Sequence, residues 1–113
     1  MSFVNAFRGL RVLLATQANA RVHALVTGGV IALGWWLALT DLEWALIIGA
    51  IGLVWLAEGF NTALEFFVDM VSPEIDPRAG TIKDIAAGAV LATSVTALAI
   101  GILILGPKLV RLW

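Results

Sequence analysis

Long uncharged runs dominate the chain and predict helices that span a membrane. Residues 22–40 contain no group with a formal charge at neutral pH, and only His23 among them can titrate. Residues 85–107 contain no charged residue. A helix of about 20 apolar residues crosses a hydrocarbon core of about 30 Å. We therefore predict a first span over 22–40 and a last span over 83–107, entered through Lys83 and Asp84.

The middle apolar run needs part of a charged segment to reach across a membrane. It begins at Trp44 and has no charge until Glu58. A spanning helix must therefore continue to about Phe67, which predicts a second span over 44–67. The sequence 41–43 (Asp-Leu-Glu) is predicted to be a solvated polar turn before this span. The proline- and glycine-containing segment 72–82 is predicted to be a cytosolic loop after it.

The first 21 residues follow a different pattern. Large apolar side chains recur at helical spacing and alternate with polar and cationic ones; they are Phe3, Phe7, Leu10 and Leu14. This pattern predicts an amphipathic helix over 1–21 that lies in the membrane interface. A short cytosolic helix that packs on the bundle is the alternative. The predicted fold is thus an all-α integral membrane protein, with a surface helix and three transmembrane helices in one domain over 1–113.

Composition supports this class and excludes several others. Hydrophobic residues make up 61% of the 113 positions, with a mean hydropathy of +1.00, far above a soluble domain. The net charge of −1 provides no basic surface for nucleic acid. The chain has no cysteine, which excludes disulfides, thiolate metal sites and a cysteine nucleophile. Because so short a chain has little interior, we expect a functional site to be shared between subunits.

The distribution of lysine and arginine predicts the orientation. Cytosolic segments of membrane proteins are enriched in these residues. Five of them lie before the first span and around the second loop: Arg8, Arg11, Arg21, Arg78 and Lys83. The other two, Lys108 and Arg111, follow the last span. The sequence therefore predicts a cytosolic N-terminus and an external C-terminus.

Four polar residues form the main candidate site, which we call the acidic stripe: Glu58, Asn61, Glu65 and Asp69. Their spacing of i, i+3, i+7 and i+11 places them on one face of a helix. Counted from Trp44, Glu58 lies about 21 Å and Glu65 about 32 Å along the axis. Glu58 is thus predicted just inside the inner membrane surface and Glu65 at the interface. Carboxylates at membrane depth are costly, and their usual use is to bind a cation or to move a proton.

The residues alone leave several functions open. The acidic stripe could belong to an enzyme, or to a non-catalytic or merely nucleotide-binding protein that uses it for assembly. It could also belong to a cation or proton carrier. A carrier would more naturally place carboxylates at mid-membrane, with openings on both sides. Here the polar residues gather on one side.

Two segments resemble a known family. Residues 57–69 (Ala-Glu-Gly-Phe-Asn-Thr-Ala-Leu-Glu-Phe-Phe-Val-Asp) resemble the Glu-x-x-Asn-Ser/Thr-Ala-x-Glu-x-x-x-Asp signature of the small prokaryotic diacylglycerol kinases and undecaprenol kinases. Residues 83–91 are similar to that family's Lys-Asp-x-x-x-x-Ala-Val-Leu segment. The resemblance extends over nearly the whole chain, including the amphipathic N-terminus and the order of the spans.

The resemblance implies a function and a role for each matched residue. Members are homotrimers in the bacterial cytoplasmic membrane, with active sites between subunits on the cytosolic side. They transfer the γ-phosphate of ATP to a lipid hydroxyl with Mg²⁺. By match, Glu58 is the general base, Glu58 and Asn61 contact the lipid, and Glu65 holds Mg²⁺. The nucleotide-binding residues implied by the match are Asn61, Asp69, Lys83, Asp84, Arg8 and Arg21.

One position departs from the family pattern. Gln17 stands where many members have a glutamate that serves as a second metal carboxylate. A glutamine can bind Mg²⁺ through its carbonyl oxygen but supplies no charge, so we expect weaker metal affinity with activity retained. The segments 21–23 and 72–74 look more like the undecaprenol kinase branch. Undecaprenol and diacylglycerol both present a hydroxyl on a long apolar body, so the choice between them stays open.

Overall fold

The structure, a computed structural model, describes residues 2–112 and is all α-helical there, as predicted. The four helices are α1 (Phe3–Thr16), α2 (Ala18–Trp36), α3 (Asp41–Val71) and α4 (Pro77–Val110). Met1 and Trp113, the end residues of the predicted domain, lie outside the described part of the chain.

Helices α3 and α4 form a long antiparallel hairpin closed by an ion pair at each end. At the connecting loop, Lys83 Nζ on α4 lies 2.5 Å from Asp69 Oδ1 on α3. At the far end, Lys108 Nζ lies 3.2 Å from Glu43 Oε1. Helix α2 runs antiparallel to α3, and Trp55 Nε1 on α3 donates a hydrogen bond to Thr27 Oγ1 on α2 at 3.0 Å.

The predicted surface helix ends earlier than its pattern suggested. Helix α1 stops at Thr16, and Gln17 has an extended backbone (φ −115°, ψ 115°) between α1 and α2. The Nη1 atom of Arg21 donates to the carbonyl oxygens of Leu14 at 2.9 Å and Ala15 at 3.2 Å. These carbonyls lack helical partners because they lie in the last turn of α1. Arg21 therefore fixes the corner at which the chain turns from α1 into α2.

The predicted polar turn at 41–43 is wrong, because these residues begin a helix. Thr40 is the N-cap of α3, where Thr40 Oγ1 accepts from Glu43 N–H at 3.2 Å and Glu43 Oε1 accepts from Thr40 N–H at 2.9 Å. This reciprocal capping box satisfies two otherwise unpaired donors. The turn itself occupies residues 37–40, because α2 ends at Trp36 rather than at the predicted residue 40.

The predicted loop 72–82 is shorter in the structure, since α4 begins at Pro77. Asp76 caps this helix by accepting from Arg78 N–H at 2.9 Å. Its carboxylate also accepts from Arg78 Nη2 at 2.9 Å. The hydrogen bonds from the Arg78 side chain and backbone hold the pKa of Asp76 below its usual range. The loop between α3 and α4 is thus residues 72–76.

Within the described chain, two helices, α3 and α4, are long and apolar enough to cross a membrane. Helix α2, which contains most of the predicted first span, is not one of them. Its first two turns carry Asn19, Arg21 and His23, which lower its mean hydropathy. The fold thus agrees with a membrane α protein, and a three-span topology stays a prediction.

The buried apolar core is small and lies near the turn that joins α2 to α3. Leu39, Ile47 and Leu105 form its centre. Many large apolar side chains elsewhere on the helices are exposed, including Leu25 and Leu103. The apolar cluster therefore lies at one end of the bundle, and the acidic stripe lies toward the other.

The turn after α2 provides a test of local stability. Ala38 has a positive φ of 54° and ends α2 in a Schellman motif. In this motif Ala38 N–H donates to Trp35 O at 3.3 Å, and Leu39 N–H donates to Gly34 O at 3.2 Å. An L-residue in this left-handed conformation costs about 1–2 kcal/mol, whereas glycine adopts it without a steric penalty.

Ala38→Gly is therefore expected to raise the free energy of unfolding by about 1 kcal/mol. Thermal unfolding in detergent micelles, followed by circular dichroism, measures the change. Ala32→Gly is the matched control, because Ala32 is an exposed position inside α2. There glycine is expected to destabilise the protein by about 0.5–1 kcal/mol. A lower unfolding temperature for Ala38→Gly would contradict the interpretation of this turn.

Candidate functional site

The acidic stripe becomes progressively more exposed along α3. Glu58 is 1% exposed. Asn61 and Glu65 are half-buried, and the side chain of Asp69 is 63% exposed. The exposed fraction of these side chains therefore rises toward the α3–α4 loop, and their depth in a membrane stays a prediction.

Three buried polar atoms around Glu58 lack a hydrogen-bond partner among the described residues. They are Glu58 Oε2, Asn61 Oδ1 and Thr62 Oγ1, all on adjacent turns of α3. A buried polar group without a partner costs about 1–3 kcal/mol, and more when it is charged. Such a cluster therefore favours a partner outside this single chain, namely a ligand, a neighbouring subunit or ordered water.

A histidine on α2 lies beside the Glu58 carboxylate. His23 Nε2 lies 3.7 Å from Glu58 Oε2, slightly too far for a hydrogen bond. The imidazole contacts the ring of Trp55 edge-on, with centroids 6.5 Å apart and an interplanar angle of 61°. Trp55 in turn donates to Thr27. The structure thus places the packed rings of His23 and Trp55 beside the buried Glu58 carboxylate.

Asn61 and Glu65, one turn apart on α3, provide the oxygen atoms best suited to a metal ion. Asn61 Nδ2 donates to Glu65 Oε1 at 3.4 Å, which leaves Asn61 Oδ1 without a partner. Carboxylate and amide oxygens are hard ligands, the kind that Mg²⁺ prefers. The described residues contain no group of three or more His, Asp or Glu that could hold a metal by themselves.

The structure does not join Gln17 to this pair. Gln17 Nε2 donates to Thr16 Oγ1 at 3.2 Å, and no hydrogen bond links it to Glu65 within the described chain. Its proposed metal role therefore rests on the sequence match alone.

Asp69 and Lys83 meet at the α3–α4 loop, at the solvent end of the acidic stripe. The pair is partly exposed, so its contribution to stability is small. It does hold the Lys83 ammonium group beside the end of the stripe. Asp84 follows on an exposed position, and it makes no hydrogen bond or ion pair with other described residues.

A cavity of about 540 Å³ separates α1 from α3. Arg8 lines it from α1, and Gly59 and Thr62 line it from α3. Arg8 Nη1 makes only a long contact of 3.5 Å with Asn5 Oδ1, so most of its donors stay available. Arg8 and Thr62 therefore line the same cavity from opposite helices. Arg21 is directed to the end of α1 instead.

A second cavity, of about 530 Å³, lies between α2, α3 and α4. Apolar side chains form most of its wall, with Val26, Ile51 and Leu98 as examples. His23 is the one titratable group among the described residues that line it. This cavity therefore combines a long apolar wall with a polar group close to Glu58.

Four residues of this region were absent from the predicted site: His23, Thr27, Trp55 and Thr62. Spacing carried a signal for two of them, because Trp55 and Thr62 lie three residues before and four after Glu58, on its face of α3. His23 and Thr27 are likewise one turn apart on α2. The pairing of the two helices, which a sequence pattern does not provide, was the missing information.

Known proteins resemble this chain over most of its length. The family model for prokaryotic diacylglycerol kinase matches residues 4–105. An undecaprenol kinase from Bacillus subtilis is 39% identical over 108 residues, covering 96% of this chain and 88% of the relative. A diacylglycerol kinase from Synechocystis sp. is 36% identical over 113 residues, covering 99% of this chain and 65% of the relative. A diacylglycerol kinase from Escherichia coli is 27% identical over 92 residues, covering 81% of this chain and 75% of the relative.

Proposed function

We propose that this chain, which belongs to the prokaryotic diacylglycerol kinase family, is a lipid kinase that transfers the γ-phosphate of ATP to the hydroxyl of a membrane lipid. The proposed acceptor is undecaprenol or diacylglycerol, the alcohols for which the relatives are named. The observation that carries the proposal is the buried Glu58 carboxylate with an unpartnered oxygen.

Glu58 is the proposed general base. As the lipid oxygen bonds to the γ-phosphorus, the hydroxyl proton moves to the Glu58 carboxylate. The bond between the γ-phosphorus and its bridging oxygen breaks, and ADP leaves. Such a base contributes typically about 10²–10⁴-fold to the rate. Its predicted position just inside the inner membrane surface supports the role, because the hydroxyl of a membrane lipid also lies near that surface.

Cationic groups around the cytosolic end are the proposed contacts of the nucleotide. Phosphoryl transfer depends mainly on positioning and on stabilising negative charge. Lys83 offers a compact charge for phosphate oxygens and is held by Asp69. Arg8 borders the cavity between α1 and α3. Asn61, Arg21 and Asp84 complete the proposed nucleotide-binding set.

Glu65 and the free Oδ1 of Asn61 would hold Mg²⁺, with Gln17 as a third, neutral ligand. The donor set fits a hard divalent ion, although it supplies only one negative charge. When bound, Mg²⁺ would neutralise charge on the phosphates of ATP. The role of the chain is to place Asn61 one turn and Glu65 two turns from Glu58 along α3.

We also propose a homotrimer in the bacterial cytoplasmic membrane, with the N-terminus cytosolic, the C-terminus external and the active sites shared between subunits. The small buried core supports association, because so short a chain has little interior in which to build a site alone. So do the three polar atoms left without partners in a single chain. The positive charges on α1, at the start of α2 and in the first two turns of α4 support the orientation.

A transfer assay tests the function. The purified protein in mixed micelles receives γ-labelled ATP, Mg²⁺ and either undecaprenol or diacylglycerol. We expect labelled lipid from at least one acceptor, and the ratio of kcat/KM values decides between them. The same lipid with a methylated hydroxyl is the matched control and is expected to stay unlabelled. Absence of label from both free alcohols would contradict the proposed function.

A further inference from the structure

We infer that His23 is a positioning residue that orients the Glu58 carboxylate for proton transfer. The inference rests on the proposed function and adds a residue to it. His23 lies on α2, outside residues 57–69 and 83–91, in the segment 21–23 that looks like the undecaprenol kinase branch. Its position beside the candidate base is a property of the helix packing.

The distance between the two side chains is the first observation. His23 Nε2 and Glu58 Oε2 are 3.7 Å apart, and Oε2 is buried without any hydrogen-bond partner in the described chain. An N–H···O bond needs a separation of about 2.7–3.2 Å. A closure of less than about 1 Å would therefore satisfy the buried oxygen. No other described group forms a salt bridge or hydrogen bond with Glu58.

The second observation is that an aromatic side chain packs against the His23 imidazole and restricts its orientation. Its ring contacts the Trp55 ring edge-on, with centroids 6.5 Å apart. Trp55 is itself fixed by the 3.0 Å hydrogen bond from its Nε1 to Thr27 Oγ1. The side chain of His23 is only 21% exposed. The imidazole is therefore a pre-oriented donor with few alternative positions.

The proposed action follows from the two carboxylate oxygens. With Nε2–H donated to Oε2, the carboxylate plane is fixed and Oε1 is left to accept the proton of the lipid hydroxyl. A base that is free to rotate would spend less time in the reactive geometry. A misplacement of about 1 Å at a reacting group can lower the rate about 10²-fold. His23 thus acts through Glu58 and does not itself contact the reacting atoms.

Three substitutions at one position test this action. His23→Leu removes the donor and is expected to lower kcat about 10–100-fold, with the KM for ATP unchanged. His23→Gln can place an amide donor near the Nε2 position and is expected to restore most of kcat. His23→Asn is equally polar but too short, and it is expected to resemble His23→Leu. Leu25→Ala, on an exposed face of α2, is the control and should retain activity.

The outcomes separate this inference from the proposed function. If the wild-type protein labels no lipid, the proposed function fails, and this inference fails with it. If the wild type is active and His23→Leu keeps its kcat, only the role of His23 fails. Equal kcat losses in the Gln and Leu variants, or a higher KM for ATP at unchanged kcat, would also overturn it. Helix content and thermal unfolding are measured for each variant, so that a loss of folding is recognised.

Discussion

Glu58→Gln is expected to lower the rate of phosphate transfer to lipid by about 10²–10⁴-fold. Glutamine has almost the same shape as glutamate but cannot accept the hydroxyl proton at neutral pH. Binding of ATP is expected to change little, because the proposed nucleotide contacts lie on Arg8, Lys83 and their neighbours. The measurement is kcat in the micellar transfer assay, together with the dissociation constant of Mg-ATP.

The same substitution is expected to increase stability, which separates a catalytic role from a structural one. Glu58 is 1% exposed, and its Oε2 lacks a hydrogen bond. A buried charge without a bonded partner opposes folding, and an amide removes that charge. Residues that serve chemistry are often destabilising in this way. An inactive variant with a higher unfolding temperature supports the assignment of Glu58 as the general base. A loss of both activity and stability would instead indicate that Glu58 has a packing role.

Glu74→Gln provides the matched control for this substitution. Glu74 lies on an exposed position of the loop between α3 and α4, on the same side of the bundle as the acidic stripe. Glu74→Gln makes the same change from carboxylate to amide, but at an exposed position, so kcat is expected to stay close to the wild-type value. Equal losses in Glu58→Gln and Glu74→Gln would contradict the assignment of Glu58, because the effect would then follow net charge alone.

The sequence predicted the parts of this molecule that depend on local patterns. Helical spacing predicted that Glu58, Asn61 and Glu65 share one face of α3, and counting from Trp44 predicted their order along the helix toward the α3–α4 loop. Both features depend on the 3.6-residue repeat and the 1.5 Å rise of a single helix. The apolar runs likewise predicted the long helices.

Predictions failed where capping decides where a helix begins. The segment 41–43 is polar and close to a chain reversal, which favoured a turn. In the structure Glu43 closes a capping box with Thr40 and also pairs with Lys108, a residue 65 positions away. Asp76 similarly begins α4 within a segment that was predicted to be a loop. Side-chain bonds to the first N–H groups determine these ends, and hydropathy does not report them.

The contact of His23 with Glu58 could not be derived from local patterns either. The two residues are 35 positions apart, and they meet only because α2 runs antiparallel to α3 in one register. A shift of one turn along either helix would move a contact by about 5.4 Å and separate the imidazole from the carboxylate. The contact between His23 and Glu58 is therefore determined by how α2 pairs with α3, which the residue pattern of each helix does not show.

Glu65→Gln is expected to lower kcat by about 10²-fold and to raise the Mg²⁺ concentration at half-maximal rate. Glu65 is the one negatively charged ligand in the proposed metal set of Glu65, Asn61 and Gln17. Removing a charge-stabilising contact of about 2.7 kcal/mol corresponds to a 10²-fold change in rate. Titration of kcat with Mg²⁺ at fixed ATP measures both effects. Asp41→Asn, an exposed acidic position at the other end of α3, is the control and is expected to leave the titration unchanged.

Gln17→Glu is the complementary substitution, since it adds a carboxylate where Gln17 supplies a neutral oxygen. If both residues hold the same ion, it is expected to lower the Mg²⁺ requirement of the wild-type protein. It should also recover part of the activity lost in Glu65→Gln, because one charged ligand is then present again. In this structure Gln17 bonds to Thr16, so binding of the ion would require its side chain to change partner. An unchanged Mg²⁺ titration in both backgrounds would exclude Gln17 as a ligand and leave Glu65 and Asn61 as the whole protein contribution.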